Sequence, residues 1–95
     1  MEKSNSLHLI TRSPFQSHLD EALNCISPND QVVLMGEGCY LLQKKALLEQ
    51  LPHPVLVLEA DCAERGLTID HEQIRAISMT DCVSYSLNAK HVLTW

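Results

Sequence analysis

Basic residues are scarce in this chain: seven lysines and arginines stand against twelve aspartates and glutamates, for a formal net charge of −5 at pH 7. Apart from Lys44-Lys45 the cations are scattered singly. No basic stripe is available to neutralise a phosphate backbone, so direct contact with nucleic acid is not expected. Long apolar runs are also missing. Val32–Met35 and Val55–Leu58 fall far short of the roughly 18 residues a membrane helix needs, and no membrane association is expected. Met1–Ser6, with Glu2 and a lone Lys3, lacks the build of a secretory leader, which predicts a cytoplasmic protein. Aromatic residues make up only 4% of the chain although 45% of it is apolar, so the core must be aliphatic. The four cysteines, Cys25, Cys39, Cys62 and Cys82, form no C-x-x-C pair, and with the five histidines they match no compact zinc spacing. Free thiols, no metal site and no cofactor are the expectation in a reducing compartment.

What is present is an alternation of short strand and helix patterns in a chain the size of one domain. Residues 1–6 read as a disordered tail and residues 7–95 as a single domain. Leu7–Thr11 serves as a first strand. Ser13-Pro14-Phe15-Gln16 has the form of a capping box with proline at the first helical position. Phe15, Leu19, Ala22, Leu23 and Ile26 then recur at helical spacing, with Cys25 on the flank of that face. Ser27-Pro28-Asn29-Asp30 is a turn cluster, and Val32–Met35 reads as a strand buried on both faces and ended by Gly36-Glu37-Gly38. Tyr40–Leu51 predicts a helix broken near its start, stopped by Pro52-His53-Pro54.

Val55–Leu58 is a third strand, and Asp61–Arg65 a short helix that Gly66 is placed to terminate. Ala76–Ser78 predicts a fourth strand. Thr80 or Asp81 caps a helix carrying Val83, Leu87 and Tyr85, and Val92–Trp95 closes the series as a fifth strand. The order implies an α/β fold with a mainly parallel sheet of about five strands flanked by helices and joined by right-handed crossovers. A parallel sheet needs cover on both faces, yet three substantial helices and one short one are all that the pattern supplies. Apolar surface is therefore left for a partner. Trp95 is the candidate interface residue, with packing against its own domain as the alternative.

The chemistry is sparse. Cys39, just beyond a strand-end turn, is a candidate reactive thiol if the following helix start lowers its pKa, but Glu37 two residues away opposes the thiolate. Cys25 is the second candidate. Gly36-Glu37-Gly38 is the candidate ligand loop, although a nucleotide fingerprint requires a third glycine and no carboxylate. Thr11-Arg12-Ser13 can meet an anion at a helix start, a role the serine cap explains more simply. Asp61, Glu64 and Asp81 have structural roles as caps or solvated helix charges, and none of the histidines is spaced to pair with a Cys or Ser. No enzyme constellation emerges.

Taken in order, Leu7-His8, Arg12-Ser13-Pro14-Phe15, Gly36-Glu37-Gly38, Arg65-Gly66-Leu67, Thr80-Asp81 and Trp95 resemble the TusB and DsrH family, and TusB most closely, over about Leu7–Trp95. The resemblance implies a DsrE-like fold and a cytoplasmic heterohexamer, a dimer of trimers built with TusC-like and TusD-like sister subunits. That complex relays persulfide sulfur between small carrier proteins toward 2-thiolation of the wobble uridine in tRNA. The acceptor cysteine belongs to the TusD-like partner, so this chain is expected to be a non-catalytic subunit. The DsrH branch implies a role in sulfur oxidation and carries a cysteine inside the first helix, where this chain has Ala22 or Leu23 and places Cys25 slightly beyond. At the Cys39 position the family commonly has an aliphatic residue, which a small thiol replaces with little strain. The alternatives to a structural subunit are a persulfide carrier acting through Cys39 or Cys25, and a small-molecule binding module using the strand-end loops.

Overall fold

The computed structural model describes residues 6–15, 19–52, 54–70 and 72–95. Its strands are β1 (Ser6–Ile10), β2 (Gln31–Leu34), β3 (Val55–Leu58), β4 (Ile74–Ile77) and β5 (His91–Thr94). Between them lie α1 (Leu19–Cys25), a 3-10 helix (Gly36–Gln43) running into α2 (Lys45–Leu48), α3 (Glu59–Glu64) and α4 (Met79–Asn88). The strands form one sheet in the order β4-β3-β2-β1-β5, and every pairing is parallel. Complete burial of Val32–Leu34 and near-complete burial of Val55–Leu58 follows from this order, because β2 and β3 have a neighbour on each side and packing on each face.

The winding explains why the two faces differ. From β1 to β4 the chain steps one strand at a time in the same direction, so right-handed crossovers put every connection on one face. There Ile10, Val32, Leu34, Val55 and Val57 meet Ala22 of α1, Cys39, Leu41 and Leu42 of the 3-10 helix, Leu48 of α2 and Cys62 of α3. The last crossover, from β4 back past β1 to β5, runs the other way and lands on the opposite face. Among the described helices α4 is alone here. Its Cys82 packs on Leu7, Val33, Leu56, Leu58 and Ile77, with Tyr85 and Ala89 beside it. Burying each large aliphatic side chain contributes about 1.5–3 kcal/mol, so these two cores supply most of the drive to fold.

Several boundaries depart from the expectations. Ser6, placed in the tail, already pairs with His91 across β1 and β5; residues 1–5 lie outside the described residues. Pro14 and Phe15, where the helix was expected to begin, lie in a turn, and α1 is described over Leu19–Cys25, with residues 16–18 outside the described residues. Ser13 accepts from the Phe15 amide at 3.1 Å in a local turn instead, while Gln16, the far half of the expected capping box, lies outside the described residues. Phe15 is consequently 58% exposed rather than in the core, and the Lys44 ammonium sits 4.8 Å from the centre of its ring. The long second helix divides at Lys44 because the 3-10 segment buries Gly38, Cys39, Leu41 and Leu42. Those residues repeat every third position, which suits three residues per turn.

The cap of α4 is Ser78 and not Thr80. Its side chain accepts from the Asp81 amide while the Asp81 side chain accepts from the Ser78 amide. Of the three residues singled out on this helix, Tyr85 packs on the sheet and Val83 and Leu87 do not. Cys82 and Tyr85 point to the sheet, whereas Met79, Val83 and Leu87, one above another at spacing of four, face outward. The sheet beneath is already filled by Leu56, Leu58 and Ile77, so the small Cys82 fits where a larger residue would overpack.

Candidate functional site

The carboxyl ends of β1 and β2 carry the glycine turn. Gly36 adopts a φ of 55°, a left-handed conformation that glycine takes without a Cβ penalty. The turn is tied down from all sides. The Gly36 amide donates to Asp61 Oδ2 at 2.7 Å, so Asp61, expected as a helix cap, instead fastens α3 to the turn. The Gly38 amide donates to the Met35 carbonyl at 2.9 Å. Arg65, past the end of α3, donates to Glu37 Oε2 at 3.2 Å, to Glu64 Oε1 at 3.2 Å and to the Asp61 carbonyl at 3.1 Å. Both glycine amides are therefore engaged within the fold, and Glu37 holds the surface above them. Gly66 terminates α3 with a φ of 65°, as its position in the sequence implies.

Cys39 lies directly under this turn and is fully buried. Its thiol donates to the Leu34 carbonyl at 3.6 Å. Burial above all, then the neighbouring Cys62 and Asp61, pushes the Cys39 thiol up to about 12. Burial therefore favours the thiol at neutral pH over the thiolate, the form that attacks sulfur. Burial raises Cys62 and Cys82 as well. Cys25, at the last position of α1, is exposed. Thus the two thiols singled out by the sequence are not brought together: one is sealed in the core, the other sits on the surface. Among the described residues no group of three or more His, Cys, Asp or Glu is gathered to hold a metal ion, and no helix is long and apolar enough to cross a membrane.

A polar line that the sequence did not reveal crosses the α1 side of the sheet. His8, in the middle of β1 and fully buried, meets Asp30 Oδ2 through Nε2 at 2.9 Å. Its other ring nitrogen, Nδ1, accepts from the Trp95 indole at 3.1 Å. Asp30 also accepts from the amides of Ser27 at 3.0 Å and Ser6 at 3.3 Å, so the carboxylate joins the entry of β2 to the start of β1. Trp95 packs half-buried against the core of this face. One signal was present in the sequence: His8 has the same strand parity as the core residue Ile10, and a buried imidazole needs partners. The partners themselves, 22 and 87 positions away, are set by strand order.

On the α4 side, two grooves of about 330 and 340 Å³ share Tyr85 and Asn88. One continues over Ser6, Asn29 and Gln31, the other over Arg75 and Asp81. They run beside the helix whose outer stripe is Met79, Val83 and Leu87.

Comparison with known proteins agrees with this architecture. The family model described as DsrH like protein matches residues 12–92. A search of the curated proteins found no match. Among solved structures, the YchN protein from E. coli is similar with a TM-score of 0.75 and 16% identity, over 98% of this chain and 100% of that one. At that identity the likeness bears on the fold, and the fold is the DsrE-like α/β arrangement that the motifs implied.

Proposed function

The chain belongs to the DsrH-like family, and hence among the sulfur-relay proteins; from that premise we propose that it is a non-catalytic subunit of a heterohexameric relay complex. In this reading it joins TusC-like and TusD-like sister subunits in a dimer of trimers that passes persulfide sulfur between small carrier proteins, toward 2-thiolation of tRNA wobble uridine. The observation that carries it is the state of the thiols: Cys39, Cys62 and Cys82 are buried and held protonated, so the core builds no sulfur nucleophile. The exposed stripe Met79, Val83 and Leu87 on α4 supports a subunit role, since it is apolar surface that a sister chain would cover. Trp95 packs half-buried against its own domain, the alternative that the sequence left open, and is not counted in that surface.

The exposed Cys25 supports a second reading, in which this chain carries a persulfide itself. One experiment separates the two. The chain is coexpressed with its sister subunits, assembly is followed by native mass spectrometry, and sulfur transfer is measured with a persulfide donor. For the subunit role, a variant with Cys25→Ser and the three buried cysteines changed to Ala enters the hexamer and supports full transfer. An intact hexamer with lost transfer, together with a sulfur adduct on Cys25 of the unaltered chain, would establish the carrier role instead.

A further inference from the structure

Trp95 is attached to the domain in two ways. Its main chain prolongs the β1–β5 ladder: the amide donates to the Leu9 carbonyl at 2.9 Å, and the carbonyl accepts from the Thr11 amide at 3.0 Å and the Thr11 hydroxyl at 2.9 Å. Its side chain makes the separate bond to His8 Nδ1. The two rings lie 14° from parallel with centroids 6.2 Å apart, joined through the indole N–H and Nδ1. An indole N–H can only donate, so Nδ1 must keep its lone pair. The proton of the neutral imidazole therefore sits on Nε2, where it is donated to Asp30. Trp95 and Asp30 together select one tautomer.

We propose that this line is an acid-released latch on the edge strand: protonation of His8 at Nδ1 replaces the acceptor of the indole bond with a second donor and frees the Trp95 side chain. In the imidazolium the hydrogen bond to Asp30 is kept, whereas at the indole N–H would face N–H. Of the elements around the ring, β2 and β5 place Val32 and Leu93 beside it in register. The approach to β2 supplies Asp30, while Glu21 on α1 and Lys90 and His91 at the entry to β5 are exposed. The released form holds one proton more than the docked form, so docking weakens as pH falls, by at most about tenfold per pH unit. The consequence is local. Among the described strands β5 pairs with β1 alone, and all four of its residues are exposed, so losing the indole leaves that edge on main-chain bonds.

The chain holds a single tryptophan, which makes its fluorescence a direct reporter. Lowering the pH of the full chain from about 8 to about 5, the span in which histidine changes charge, is expected to red-shift the emission and increase acrylamide quenching several-fold, with far-ultraviolet circular dichroism unchanged. A His8→Asn variant, whose amide oxygen can accept the indole N–H but takes up no proton, is expected to keep protected emission throughout. Should that variant not fold, nitrogen-15 NMR of the unaltered His8 ring provides the second measurement: the Nε2–H tautomer at the upper pH, becoming doubly protonated at the same pH as the emission change. Constant emission, the same emission change in His8→Asn, ring protonation at a different pH from the emission change, or loss of circular dichroism together with the shift would each overturn the latch.

Discussion

Gly38→Ala puts a methyl group where two backbone segments already touch. A Cβ at position 38 would stand 1.9 Å from the Ile10 carbonyl oxygen and 2.6 Å from its carbon, against roughly 3.5 Å or more for comfortable contact. Both atoms belong to the main chain of β1, so no flexible side chain can move aside. The Ile10 carbonyl also accepts from the Met35 amide at 3.0 Å, and the Gly38 amide donates to the Met35 carbonyl at 2.9 Å. Separating the clash breaks or stretches both bonds. Two backbone hydrogen bonds at about 1 kcal/mol each, with an overpacking cost of about 1–3 kcal/mol, give roughly 3–5 kcal/mol. That is a large part of the roughly 5–15 kcal/mol by which such domains are stable. The control is Gly66→Ala, where φ is 65° and nothing lies within 4 Å of the added Cβ. Only the left-handed backbone penalty of about 1 kcal/mol remains there. Urea unfolding followed by circular dichroism compares the midpoints of the two variants at a common slope. A Gly38→Ala chain within about 1 kcal/mol of Gly66→Ala would refute the steric reasoning.

Ser78→Ala removes the side-chain acceptor that holds the Asp81 amide at 3.1 Å; a loss of about 1 kcal/mol in a thermal or urea melt is expected, whereas Thr80→Ala, outside the cap, should change little. Alkaline pH should destabilise the fold through the buried thiols. Because the folded Cys39 value is raised to about 12, the stabilising contribution is complete below the ordinary thiol range. It declines as pH rises through that range toward 12, by up to about 1.4 kcal/mol per pH unit for this thiol. Cys62 and Cys82 act in the same direction. Urea midpoints measured between about pH 8 and 10.5 should fall in the unaltered chain and fall less in Cys39→Ala; equal slopes would show that Cys39 ionises on exposed surface.

Elements with strong local signals were legible. Val32–Met35 and Val55–Leu58 are continuous apolar runs that only buried strands accommodate, and they became β2 and β3. Gly66 ends α3 because its missing Cβ permits the positive φ. Where two local choices compete, the reading was less sharp. Val83 and Leu87 look like the inner face of α4 by hydrophobicity alone, yet the bulk of Leu56, Leu58 and Ile77 in the sheet turns Cys82 and Tyr85 inward. Asp61 reads as a helix cap, but it is the amide of Gly36, 25 residues earlier, that it receives. For Cys39 the spacing placed the thiol beside a turn correctly; whether that turn presents or seals it depends on what lies above, and Cys62, Leu41 and Ile10 close it in.

The sequence by itself determined the alternation of strands and helices, the aliphatic core and the family, since these rest on periodicity, composition and motif order along the chain. Tertiary structure decided the rest. The reversal at the last crossover puts α4 on the opposite face from the other described helices, and the order β2-β1-β5 seats His8 between Asp30 and Trp95. Neither can be read from neighbours in sequence, because a buried polar group is satisfied by whatever the strand order brings to it and not by the residues it follows.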